Sequence, residues 1–233
     1  MPTDSGDAAG PPSAAAPRLP LTSPVTFFAG ENGSGKSTLL RAMARKCGIN
    51  IWGVNDRQRV NISRFEDSLH HVLEVEWCNG KVPGSFFSSQ VFQNFARMLD
   101  EWAVTDPGLL EYFGGQSLMN LSHGQSLMAF FRSRYSIRGL YLLDEPETAL
   151  SPASQLDLLR LLNEAGSTDT GVQFVIATHS PILLACPGAE ILDFDNDRIA
   201  PIDYEETAYY RVYRAFLLDR ERFLAEGSDE TAA

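Results

Sequence analysis

The stretch "PVTFFAGENGSGKSTLLRAM", Pro24 to Met43, decides the fold. Its centre, Gly30-Glu31-Asn32-Gly33-Ser34-Gly35-Lys36-Ser37, fills every position of the phosphate-loop pattern G-x-x-x-x-G-K-[ST]. Before it, "PVTFFA" reads as a short buried strand; after it, "KSTLLRAMARKC" reads as a helix with Leu39, Leu40, Met43 and Ala44 on one face. Strand, glycine turn and helix form the context that gives the pattern meaning. Glycine lets main chain approach a ligand closely, so the amides from Asn32 to Ser37 are free to wrap phosphate. Lys36 is then placed to reach the β and γ phosphates, and the Ser37 hydroxyl to bind Mg²⁺, with Glu31 and Thr38 completing the loop. On this reading Lys36 is solvated until phosphate arrives.

Further along, "GLYLLDE" delivers Asp144 and Glu145 at the C-terminal end of an apolar run typical of a buried parallel strand. Ligands of open α/β sheets bind at that end. Asp144 is the candidate for the Mg²⁺ shell, and Glu145 for the group that takes a proton from, or orients, an attacking water. "VQFVIATHS" ends the next buried strand with His179, which can donate a hydrogen bond to a γ-phosphate. His70, His71 and His123 read as structural. A second phosphate-type turn opens the helix in "NLSHGQSLMAFF", where Ser122 and Gly124 leave backbone N–H groups free at a helix N-terminus.

Strand and helix alternate through the chain, so the class is α/β with a mainly parallel sheet. "AEILDFDNDRIAPI" reads as a hairpin, the small antiparallel part. Residues 50 to 88 read mostly as strands and turns: "HVLEVEW" alternates, "CNGK" turns, and "GSFF" resumes the pairing. Helices are predicted over Gln90–Trp102, Gln125–Tyr135, Ser151–Ala165 and Tyr204–Leu224. The Pro/Ala/Gly-rich segment 1–18 and the end 226–233 read as disordered tails. That leaves one domain over 19–225, with a helical lobe at about 86–138 that carries the second turn.

The formal net charge of −11 argues against a broad footprint for nucleic acid or anionic lipid. Arg41, Arg45, Lys46, Arg57 and Arg59 are read as a solvated helix face and loop. Cys47, Cys78 and Cys186 are odd in number and widely spaced, the pattern of buried thiols in a reducing cytoplasm. No apolar run reaches membrane-spanning length and no signal-peptide pattern opens the chain.

With these pieces in order, the chain resembles the ABC-type ATPases. "LSHGQ" (Ser122, His123, Gly124, Gln125) looks like their signature motif, Asp144-Glu145 like their Walker B end, "TALS" like their D-loop, and His179 like their switch histidine. Over roughly residues 21 to 224 it is closer to small stand-alone bacterial AAA-family ATPases, which share "GLYLLDEPE", "ATHSPILL" and a Tyr-rich C-terminal helix. The resemblance implies binding and hydrolysis of ATP with Mg²⁺, and a glutamine that senses metal and γ-phosphate. "SFFSSQVFQNF" offers Gln90 and Gln93 for it, with Gln90 preferred at a strand-to-helix junction. It also implies that the signature caps ATP bound to a second copy, so that a homodimer sandwiches two nucleotides.

Three departures stand out. His123 replaces a glycine of the usual signature, and Ser151 stands where the D-loop usually has Asp. Too little chain precedes the loop for the customary N-terminal strands and adenine-stacking aromatic, so base recognition is not legible. A stand-alone ATPase acting on an unknown protein partner is the preferred reading. The alternatives are a DNA-repair or defence-type ATPase and the nucleotide-binding subunit of an ABC transporter.

Overall fold

Strands that are apolar on both sides need cover on both faces, and this chain supplies it. The computed structural model describes residues 18–51, 64–113, 115–135, 137–167 and 171–225. The expected tails therefore fall almost wholly outside the described residues, as do Arg57 and Arg59. The strands are β1 (Val25–Ala29), β2 (Gly84–Ser88), β3 (Gly139–Asp144), β4 (Val172–Ala177), β5 (Glu190–Asp193) and β6 (Ala200–Pro201). They build one sheet in the order β2-β3-β4-β1-β5-β6. All its pairings are parallel except β5–β6, which is the expected hairpin.

The helices are α1 (Lys36–Cys47), α2 (Arg64–Val72), α3 (Ser89–Ala103), α4 (His123–Arg134), α5 (Pro152–Ser167), α6 (Pro181–Leu184), α7 (Ala208–Leu218) and α8 (Arg220–Ala225). Successive strand residues point to opposite faces, which splits the core in two. Phe27, Tyr141, Leu143, Phe174 and Ile176 face one way and pack with Leu127 and Phe131 of α4 and Leu158 and Leu162 of α5. Phe28, Leu140, Leu142 and Val175 face the other way and meet Leu40, Ala44 and Cys47 of α1. Each fully buried side chain of this size contributes about 1.5–3 kcal/mol. Of the face predicted for α1, Leu40 and Ala44 are wholly buried, and Leu39 and Met43 pack at the margin.

Four expectations are corrected. "HVLEVEW" is not a strand: α2 runs through Val72, and residues 73–77 have no regular structure. Alternation stabilises a strand only where a partner strand and a cover exist, and Val72 and Val75 are exposed instead. "GSFF" resumes no such pairing; β2 runs parallel beside β3 with Phe86 and Phe87 buried. The predicted closing helix is broken. A 3-10 turn at Tyr204–Glu206 leads to Thr207, whose side chain accepts from the Tyr210 N–H and starts α7. Asp219 separates α7 from α8. Cys47 and Cys186 are buried as expected, whereas Cys78 is exposed.

Candidate functional site

The sheet register sets the site. Asp144 on β3 and Phe28 on β1 both align with Ala177 of the intervening β4, so β3 and β1 end level with each other. The glycine loop leaves β1 one residue later. Gly35, at φ 96°, is the left-handed residue that turns the chain into α1. Gly30, at φ 147°, lies so close to Asp195 that an added Cβ would come within 2.8 Å of its Oδ1. That carboxylate accepts from the Glu31 N–H at 2.5 Å and ties the loop to the β5–β6 turn.

Lys36 corrects the expectation of a solvated side chain, being only 4 % exposed. Its ammonium donates to the Gly30 carbonyl (2.6 Å), the Glu31 carbonyl (2.8 Å) and Ser34 Oγ (3.3 Å). A buried ammonium needs acceptors, and the loop's own carbonyls serve. Burial pulls its pKa down against the opposing pull of Asp195, Glu145, Asp144 and Glu31.

One residue on, Ser37 Oγ donates to Asp144 Oδ1 at 2.6 Å. Arg41, a turn further along α1, lies 3.4 Å from Asp144 Oδ2. Burial raises the Asp144 pKa, although Ser37 and Arg41 both work against it. A serine hydroxyl and a carboxylate at this separation are hard oxygen donors. They suit Mg²⁺, which takes one or two protein oxygens and fills the rest of its shell with water and phosphate.

Glu145 is the only non-glycine residue with positive φ (48°) among the described residues. Such a backbone costs about 1–3 kcal/mol and persists where its surroundings enforce it. Here the Glu145 N–H donates to the Ala177 carbonyl at 2.9 Å. The bend aims the side chain at His179, with Glu145 Oε1 3.2 Å from Nε2. His179 is further held by its own N–H, which donates to Glu147 Oε1 at 2.6 Å. Its Nδ1 is hydrogen-bonded to the Tyr209 hydroxyl, which also lies 2.9 Å from the Gly30 carbonyl.

Lys36, Ser37, Asp144, Glu145 and His179 are thus brought together as the sequence suggested. Asp195, Glu147, Arg41 and Tyr209 were missed. Glu147 and Arg41 lie inside quoted motifs, but nothing in their spacing shows what they touch.

The second turn stands apart. Ser122 caps α4 in a reciprocal box: its side chain accepts from the Gln125 N–H, and Gln125 Oε1 accepts from the Ser122 N–H at 3.1 Å. Both residues are exposed or nearly so. His123 meets Phe92 edge-on at 6.0 Å, in keeping with a structural histidine. Gly124 sits beside the Ala149 carbonyl and Ser154. Among the described residues, the side-chain hydrogen bonds of this turn close on each other and on Ser126, within α4 and its cap. They do not reach the phosphate loop, Asp144, Glu145 or His179. Gln90 and Gln93 fall on α3 just past β2, and their side chains lie outside the described residues.

The chain is similar to several known proteins. Residues 122–185 match the family described as "AAA domain, putative AbiEii toxin, Type IV TA system". The phosphate import ATP-binding protein PstB 2 of Aliivibrio fischeri is 29% identical over 180 residues, covering 67% of this chain. The match spans 64% of that relative's length. Among solved structures, cbiO1 of Clostridium perfringens, part of the transporter complex cbiONQ, is 22% identical over 87% of each chain, with a TM-score of 0.43. The ATP-binding cassette MJ0796, solved as a dimer with ADP and Pi, is 17% identical over 79% of this chain and 88% of its own, at 0.45. The family match falls across the strand ends that carry Asp144 and His179, and the curated relative is an ATP-binding protein.

Proposed function

We propose that this chain binds ATP with Mg²⁺ at residues 30–38 and hydrolyses it to ADP and phosphate. The observation that carries the reading is the Ser37–Asp144 hydrogen bond at 2.6 Å, beside buried Lys36 and the Glu145–His179 pair. On binding, phosphate oxygens replace the Gly30 and Glu31 carbonyls as acceptors for Lys36, while the amides of Asn32 to Ser37 turn onto the phosphates. Ser37 and Asp144 would hold Mg²⁺, which would neutralise phosphate charge. Glu145 orients a water and accepts its proton as the oxygen attacks the γ-phosphorus and the bond to ADP breaks. His179 Nε2 donates to a γ-phosphate oxygen. Gln90 is proposed to sense metal and γ-phosphate.

In this reading 19–225 is the ATPase domain, 86–138 its helical lobe, and a homodimer on ATP is the working unit, in the cytoplasm, with an unidentified protein partner. The N-terminus of α4, with Ser122 exposed, supports the dimer because the first N–H groups of a helix have no partner further back in it. Two findings favour other couplings of the same chemistry. The curated relative's name favours a transporter's nucleotide-binding subunit, and the matched family's description favours a component of a type IV TA system. Calorimetric titration with Mg–ATP tests the binding step. Lys36→Ala should weaken ATP binding by about a hundredfold or more, the scale set by losing a charge-assisted phosphate contact. Equal affinity in a folded Lys36→Ala variant would remove the assignment.

A further inference from the structure

We propose that Tyr209, on the first turn of α7, is a positioning residue that holds His179 with its Nε2 proton facing the γ-phosphate position. The proposal rests on the hydrolysis reading above for its catalytic consequence, but not for its geometry. The Tyr209 hydroxyl is bonded on one side to His179 Nδ1 and lies 2.9 Å from the Gly30 carbonyl on the other. The two rings meet edge to face, with centroids 5.3 Å apart. One phenol therefore joins the histidine at the end of β4 to the first residue of the phosphate loop.

The proton positions follow from the partners. Nε2 faces Glu145 Oε1 at 3.2 Å, and a carboxylate oxygen presents lone pairs. A bare Nε2 would face the negative charge of that carboxylate, so Nε2 carries the proton. In the neutral ring Nδ1 is then bare and must accept; Tyr209 turns its one proton from the Gly30 carbonyl to Nδ1, and the carbonyl keeps Lys36 Nζ, at 2.6 Å, as its donor. In the imidazolium Nδ1–H donates to Tyr209, whose own proton turns to the Gly30 carbonyl. A hydroxyl serves in both states, and a ring nitrogen's proton is set by what its other nitrogen meets. The phenol stays protonated throughout: burial, with Glu31, Asp195, Glu145 and Glu147 nearby, pushes its pKa to about 12.

Side chains of the neighbouring segment fix both ends of this contact. Thr207 caps α7 and sets where Tyr209 enters. Tyr204, just before it, donates to the Pro181 carbonyl at 3.0 Å, two residues past the histidine. The segment 204–209 thus grips the His179 loop twice. Without the hydroxyl, the His179 ring would keep its Glu147 backbone anchor and its Glu145 contact but lose the donor that satisfies a bare Nδ1, which weakens the preference for the Nε2–H tautomer.

Two readouts on Tyr209→Phe test this. In ¹⁵N-histidine NMR of nucleotide-free protein, above the ring's titration, wild type should show His179 as the Nε2–H tautomer and the variant a mixture. An unchanged spectrum for His179 would overturn the proposal whether or not the protein hydrolyses ATP. In steady-state kinetics Tyr209→Phe should lower kcat about tenfold with KM for ATP within about twofold, and cost nothing further in a His179→Ala background. Tyr213→Phe, half-exposed on the same helix, should match wild type. An equal loss of kcat in both backgrounds would make Tyr209 a packing residue and refute its action through His179. If wild type has no ATPase activity, the hydrolysis reading fails while the NMR arm still decides the role of Tyr209.

Discussion

Glu147 shows how much charge is gathered behind the site. One of its oxygens accepts from the His179 N–H at 2.6 Å, and the other is buried with no partner among the described residues. Burial raises its pKa above the ordinary 4.5, with the His179 N–H pulling the other way. The sign follows directly: the fold prefers the protonated acid, so its contribution is whole below the ordinary carboxylate range and is lost as pH rises through the raised value. Glu147→Gln keeps an acceptor for the His179 N–H and removes the ionisation. The variant should match wild type in denaturant stability near pH 4 and exceed it near pH 8, by about 1 kcal/mol or more. A difference that does not change with pH would show that ionisation of Glu147 carries no such cost. Lys36 teaches the same lesson from the cationic side. Its three acceptors are loop atoms that no motif spells out, and only the folded loop shows that it is buried before any phosphate arrives.

At the scale of elements, legibility followed burial. β1, β3 and β4 are apolar on both sides because both faces are covered, and each was readable as a short run ending in chemistry. The boundaries of α1 were legible to the residue because glycines at both ends adopt left-handed backbone. "HVLEVEW" failed because a period of two says nothing about whether a partner strand is present. The closing helix was read as continuous because Thr207 and Asp219 look like ordinary polar helix positions; their roles as cap and break depend on local backbone angles. Within the site, Lys36, Ser37, Asp144, Glu145 and His179 could be named from motifs. Tyr209 and Asp195 could not, since each reaches Gly30 or Glu31 from far along the chain, at separations of 179 and 164 residues. No local period encodes such a meeting.

Across the whole molecule, the chain carries two phosphate-type turns, and the hydrogen bonds of the described residues join only one of them to Asp144, Glu145 and His179. A dimer in which each Ser122 turn closes over the partner's nucleotide gives the second turn a use. The competing account is that Ser122 and Gln125 do no more than cap α4. Mixing Lys36→Ala with Ser122→Arg, each inactive alone, separates the two. A mixed dimer holds one composite site with both lesions and one with neither, so about a quarter of wild-type turnover or less should return. No recovery at any ratio would leave the turn a plain cap. Hydrolysis at Glu145 is the central expectation, and its most direct measurement is phosphate release by wild type and Glu145→Gln at saturating Mg–ATP, with binding followed in parallel. Glu145→Gln should bind ATP as wild type does and release phosphate about a hundredfold or more slower. Equal release rates, or no release by wild type at all, would contradict hydrolysis at this residue.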